Sequence, residues 1–98
     1  MLLFEWDPNK AKENIETHGI SFDEASTAFG DTLSLAIYDP LHSEEEDRLI
    51  LIGNSHRNRL LVIVHTERAE NIRIISARKA TKKERKQYEE NAKRSRHA

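Results

Sequence analysis

Residues 49–78 read LILIGNSHRNRLLVIVHTERAENIRIISAR, three apolar runs set apart by short polar stretches. Leu49-Ile50-Leu51-Ile52 and Leu60-Leu61-Val62-Ile63-Val64 are unbroken, as expected of central strands covered on much of both faces. Between them Ser55-His56-Arg57-Asn58-Arg59 is short and polar enough for a hairpin connection. The third run, Asn71 to Arg78, follows a polar Thr66–Glu70 turn. Upstream, Leu33, Leu35 and Ile37 alternate with Ser34, Ala36 and Tyr38, the period-two pattern of a half-buried strand. Leu, Ile, Val and Phe supply 23 of 98 residues, and 16 of them lie between Leu33 and Ile75. The core is a sheet.

The flanks read as helices that lie on it. Residues 2–6, LLFEW, suit an opening strand. Asp7-Pro8 then has a capping carboxylate followed by proline at the first helical position. That helix should run to about Thr17, with Ala11 and Ile15 on one face at i, i+4, and stop at His18-Gly19. Ser21-Phe22-Asp23-Glu24 has capping-box spacing, with Ile20 and Ala25 placed as a hydrophobic staple, and this second helix ends near Phe29-Gly30. An acidic loop spans Asp39 to Asp47. Thr81-Lys82-Lys83-Glu84 is another capping box, yet the helix it opens carries only Tyr88 and Ala92 as apolar members. So polar a helix is peripheral or docked on a partner, and residues 95–98 should fray. The expected fold is α+β over a single domain, residues 1–98. Its order is β-α-α-β-β-β-β-α: a small antiparallel sheet, two N-terminal helices on one face and a C-terminal helix.

Composition narrows the function classes. No apolar run approaches the roughly 20 residues of a membrane span. MLLFEWDPNK lacks the pattern of a secretory signal, so the cytoplasm is the expected location. There is no cysteine, which removes disulfide scaffolds and the commonest zinc sites. The five histidines show no metal-ligand spacing, and three scattered glycines make no phosphate loop, so neither metal nor cofactor is expected. Net charge is −1, but residues 1–54 carry −9 and residues 55–98 carry +8. That split points to a polyanion or an acidic protein as partner of the basic half, unless the halves neutralise each other in the fold.

The chemistry-bearing residues gather late in the chain. His65, Thr66 and Arg68 close one strand, and Arg73, Ser76 and Arg78 interrupt the next. Glu84 and Tyr88 share a helix face at i, i+4. Paired through the Thr66–Asn71 turn, the strands would assemble an acid or base (His65 or Glu84), phosphate-binding arginines and a phenol. RNA cleavage without metal needs little more: the 2′-OH attacks the adjacent phosphorus while the protein moves protons and stabilises the phosphorane. Each residue also has a structural reading. Glu84 suits a helix cap, His65 a semi-buried ring, Ser76 a tight packing position, Tyr88 a helix anchor, and Arg73 and Arg78 pairs with Glu67 and Glu70.

Phe4-Glu5-Trp6-Asp7-Pro8-Asn9-Lys10, His18-Gly19-Ile20-Ser21-Phe22-Asp23-Glu24-Ala25 and Ile72-Arg73-Ile74-Ile75-Ser76-Ala77-Arg78-Lys79-Ala80 resemble the BrnT toxins, with Glu84 and Tyr88 following. The resemblance spans residues 4–88 and implies a fold similar to RelE-like ribonucleases. It further implies metal-independent RNA cleavage that arrests translation and growth. The implied partner is a BrnA-like ribbon-helix-helix antitoxin, in a possible heterotetramer that meets operator DNA only through the antitoxin. By position, the family's site residues fall on His65, Arg68, Ser76, Arg78, Glu84 and Tyr88. Arg57, Arg59, Arg73, Lys79, Lys82 and Lys83 are the expected RNA contacts. Thr17 stands before His18 where family members usually carry lysine, one positive charge fewer at the first helix end. A non-catalytic module or corepressor that only binds an antitoxin is the alternative.

Overall fold

The computed structural model describes residues 3–39 and 47–97. Nine segments follow in the order β1 (Leu3–Glu5), α1 (Pro8–His18), α2 (Phe22–Thr27), a 3-10 turn (Ala28–Gly30), β2 (Leu35–Tyr38), β3 (Arg48–Asn54), β4 (Leu60–Arg68), β5 (Asn71–Lys79) and α3 (Lys82–His97). Residues 40–46 of the acidic loop lie outside the described residues, as does Ala98. α3 is helical through His97, beyond the point where the sequence pattern has the chain fraying.

The five strands form one sheet in the order β1-β5-β4-β3-β2. Strands β2 to β5 are antiparallel neighbours, as the hairpin spacing suggests. β1 adds in parallel beside β5, Leu3 opposite Asn71 and Glu5 opposite Arg73, so the sheet is mixed. A parallel neighbour needs a crossover, and α1 through β4 supply it.

The unbroken apolar runs divide residue by residue between two faces. Leu51, Leu61, Ile63, Ile74 and Ala77 pack under Ile20, Phe22, Ala25 and Ala28 from the α2 side. Ile52, Leu60 and Val62 turn the other way, to Tyr88 of α3, with Leu33, Leu35, Ile50 and Ala80 around them. α3 thus docks on this chain's own sheet, opposite α1 and α2. Two apolar side chains suffice because the phenol of Tyr88 is also hydrogen-bonded, as shown below.

Local signals place the helix ends. Asp7 Oδ1 accepts from the Asn9 N–H, and Pro8 opens α1. Gly19 closes it at φ +71°, a left-handed conformation that favours glycine. The two apolar residues of α1 part company: Ala11 packs against the core, Ile15 is exposed, and the buried residue is Asn14. Its amide donates to Ile20 O and Ala77 O, both at 2.8 Å, and accepts from the Ala77 N–H at 3.1 Å. A polar residue that satisfies three backbone groups ties α1 to the free margin of β5 better than an isoleucine there. Gly53 lets the 3-10 turn lie close on β3, since a Cβ would sit 3.0 Å from Ala28 O.

Candidate functional site

The side of the sheet that carries α3 holds four of the expected site residues. Ser76 and Arg78 are two apart on β5, opposite Val64 and Val62; from α3, Glu84 meets Arg78 and Tyr88 packs on Ile52, Leu60 and Val62. Arg78 grips Glu84 through two parallel bonds, Nη1 to Oε1 at 2.7 Å and Nη2 to Oε2 at 2.8 Å. This fork is the strong geometry for an arginine–carboxylate pair. Glu84 Oε1 also accepts from the Thr81 N–H at 2.8 Å while Thr81 Oγ1 accepts from the Glu84 N–H, completing the capping box. The bond to Arg78 holds the Glu84 carboxyl at about 2 against the opposing pull of burial, with the Thr81 N–H assisting. Glu84 in this state is ionised and a weak base.

Tyr88 donates to Asp31 Oδ2 at 2.7 Å, and its oxygen accepts from the Asn54 amide at 3.2 Å. Asp31 also accepts from the backbone N–H groups of Leu33 and Asn54, both at 2.9 Å. Burial raises the Asp31 carboxyl, but the Asn54 N–H, the Tyr88 hydroxyl and the Leu33 N–H outweigh it and leave it below its ordinary value. Asp31 and Asn54 join the network unannounced by the sequence. An aspartate two residues before Leu33 is a readable Asx-turn signal; its long-range bonds are not.

The other expected residues lie elsewhere. His65 is 2% exposed, on the α2 side of the sheet, its ring edge-on to Phe29 at 4.9 Å between centroids. The strand alternation that carries Arg78 to the α3 side turns His65 to the opposite face. Burial lowers its pKa, partly countered by Ile63 O and the charge of Glu67. The single neighbourhood expected for His65 and Arg78 therefore does not form. Arg68 sits at the far end of the β4–β5 hairpin, opposite Asn71, about 23 Å along the strand from Arg78. Arg73 reaches Glu5 at 3.5 Å beside β1. Arg59 forks onto the buried Glu24, with Arg57 at 3.8 Å, at the α2 end. Lys79, Lys82 and Lys83 stay exposed around the β5–α3 junction, nearest the Arg78 pair.

The late arginines thus do not converge: Arg57, Arg59, Arg73 and Arg78 each face a carboxylate, at three separated places. Two of the three tie the acidic first half of the chain to the basic second half. Among the described residues no three His, Asp or Glu side chains gather as metal ligands would. Among the described residues no helix is long and apolar enough to cross a membrane.

Fold and site together define a small α+β protein in which a mixed five-strand sheet carries two helices on one face and an arginine–carboxylate cluster under a third helix on the other. Residues 6–84 match the family model described as ribonuclease toxin, BrnT, of type II toxin–antitoxin system. The chain belongs to the BrnT family of ribonuclease toxins. The structure resembles the crystal structure of the Brucella abortus ribonuclease toxin BrnT, with a TM-score of 0.61 and 28% sequence identity, over 84% of this chain and 99% of that one. No curated protein sequence matches the chain.

Proposed function

We propose that this chain cleaves RNA without a metal ion and is neutralised by a BrnA-like ribbon-helix-helix antitoxin. The observation that carries the reading is the family match across residues 6–84, which contains strands β2 to β5 and Arg78 with Glu84. In the reaction the 2′-oxygen bonds to phosphorus, the bond from phosphorus to O5′ breaks, and a 2′,3′-cyclic phosphate and a 5′-hydroxyl result. Arg78 is the phosphate ligand of this reading, since its planar fork fits two phosphate oxygens as well as it fits Glu84. A phosphate that takes over the guanidinium deprives Glu84 of the bond that most lowers its pKa. The freed carboxylate moves toward the ordinary range and becomes competent to take the 2′-OH proton, while solvent at this margin protonates O5′. Ser76 flanks the phosphate on β5, and Lys79, Lys82 and Lys83 contribute positive field. Tyr88 is a positioning residue, because its hydroxyl is spent on Asp31. His65 has no part, being buried on the other face.

Arg78→Ala should remove RNA cleavage and growth arrest from a protein that still folds, and Arg78→Lys should restore little, since lysine lacks the fork. Undiminished cleavage by folded Arg78→Ala would defeat the site assignment. One observation favours a second reading. The arginines are already paired with this chain's own carboxylates, which suits a module or corepressor that only binds an antitoxin. Incubation with total RNA in the presence of EDTA separates the two: cleavage supports the enzyme, and intact RNA with tight antitoxin binding supports the module.

A further inference from the structure

Among the described residues β1 pairs with β5 across Asn71–Arg73, and beyond Arg73 no described strand neighbours the margin of β5 on that side. At Ala77 the Asn14 amide stands in for one, accepting from the N–H and donating to the carbonyl of the same residue. Between these two places the strand bulges: Ser76 lies opposite Val64 and Ile74 opposite His65, which leaves Ile75 as the extra residue. Bulges of this kind re-aim side chains and recur beside active sites. Here the bulge opens a groove of about 240 Å³ against α1, lined by Lys10, Glu13, Asn14, Thr17, His18, Ile75 and Ser76.

The lining has the chemistry of an oxyanion and sugar site: an ammonium, an imidazole and two hydroxyls, with one carboxylate, the Asn14 amide already bonded to backbone, and no aromatic wall for a base. Among the described residues no hydrogen bond or ion pair occupies the side chains of Lys10, Glu13, Thr17, His18 or Ser76. They differ in this from the arginines on either side. The space is below the roughly 300 Å³ at which drug-sized pockets begin, which suits a compact polar unit. Ser76 belongs to both places: it lines the groove, and it lies two residues from Arg78, about 6.6 Å along the strand.

We propose that this groove binds the phosphate–ribose backbone of RNA next to the unit held at Arg78, with Lys10 and His18 on the phosphate and Thr17 and Ser76 on its free oxygens and the ribose. Glu13 repels a second phosphate and so fixes where the first one lies. The strand then runs over the open margin of the sheet, from the α3 side to α1. The assignment rests on the ribonuclease reading and adds the substrate's path to it.

The test is a titration of the full chain with a short 2′-O-methyl oligonucleotide, which binds but has no free 2′-OH to attack, at several salt concentrations. Lys10→Ala should weaken binding and make the slope of log K against log salt shallower by about 0.7, the loss of one phosphate contact on a single strand. Thr17→Lys should tighten binding and steepen the slope by about the same amount. Both positions are exposed, so both variants keep the fold. His56→Ala, in the β3–β4 connection, should titrate as wild type. Unaltered slopes in Lys10→Ala and Thr17→Lys overturn the groove, and if unmodified RNA is still cleaved they do so without touching the nuclease reading. The predicted slope changes in a protein that leaves unmodified RNA intact uphold the groove as a site for the RNA backbone and overturn the nuclease reading instead.

Discussion

Two residues of β4 show how one strand position sorts chemistry from packing. His65 closes a chain of rings, with Phe4 and Phe29 at 5.1 Å and Phe29 and His65 at 4.9 Å, inside the α2 face. An unfolded histidine takes up a proton near its ordinary 6.5 and the buried one resists it, so folding stability falls as pH drops through that value. His65→Leu should remain folded, lose that part of the pH dependence and cleave RNA with an unaltered pH–rate profile. A collapsed profile in the folded variant would return His65 to the reaction. Its neighbour Thr66 buries a hydroxyl with no hydrogen-bond partner among the described residues. Thr66→Val removes that unsatisfied oxygen at nearly constant shape, and thermal unfolding should report a gain of about 1 kcal/mol.

At the scale of elements, most of the fold was legible because its signals are local. The apolar runs, the two serine and threonine caps and Gly19 all mark boundaries within a few residues of themselves, and β3, β4, β5 and the helix starts follow them. What was not legible depends on distant partners. Glu24 occupies a capping-box position, yet its carboxylate turns from the cap to Arg59 and Ser55, which no spacing rule announces. The parallel place of β1, the docking of α3 through Asp31 and the burial of Asn14 in place of Ile15 are of the same kind. The candidate site was legible as a set of residue types, and strand parity then divided it between two faces. Asn14→Leu tests the least expected of these contacts. It strands one N–H and two carbonyls, so urea unfolding should show a loss of about 3 kcal/mol or more. In the β4–β5 turn Ala69 sits at φ +51°, where an L side chain is strained, and Ala69→Gly should raise the unfolding temperature by relieving it.

For the molecule as a whole, the opposed charges of the two halves meet within the fold at two places. Glu24 holds Arg59 and lies beside Arg57, and Glu5 holds Arg73, each joining the acidic half to the basic one. The bond from Arg59 holds the buried Glu24 at about 2, as Arg78 holds Glu84. Both carboxyls stay ionised in the fold, whereas the unfolded chain protonates them near their ordinary 4.5. Their contribution is therefore complete above about 4.5 and drains away as pH falls toward 2. Urea midpoints measured across that interval should drop steeply, and the Glu24→Gln, Glu84→Gln double variant should start lower and change less.

The parallel seat of β1 has a consequence for the chain during its synthesis. Its neighbour β5 ends at Lys79, so the first strand made must wait, unpaired, for the last. A nascent chain cannot finish its own sheet until that stretch has left the ribosome, and a message cut short before it yields a chain that lacks β5 and, with it, the Arg78–Glu84 pair.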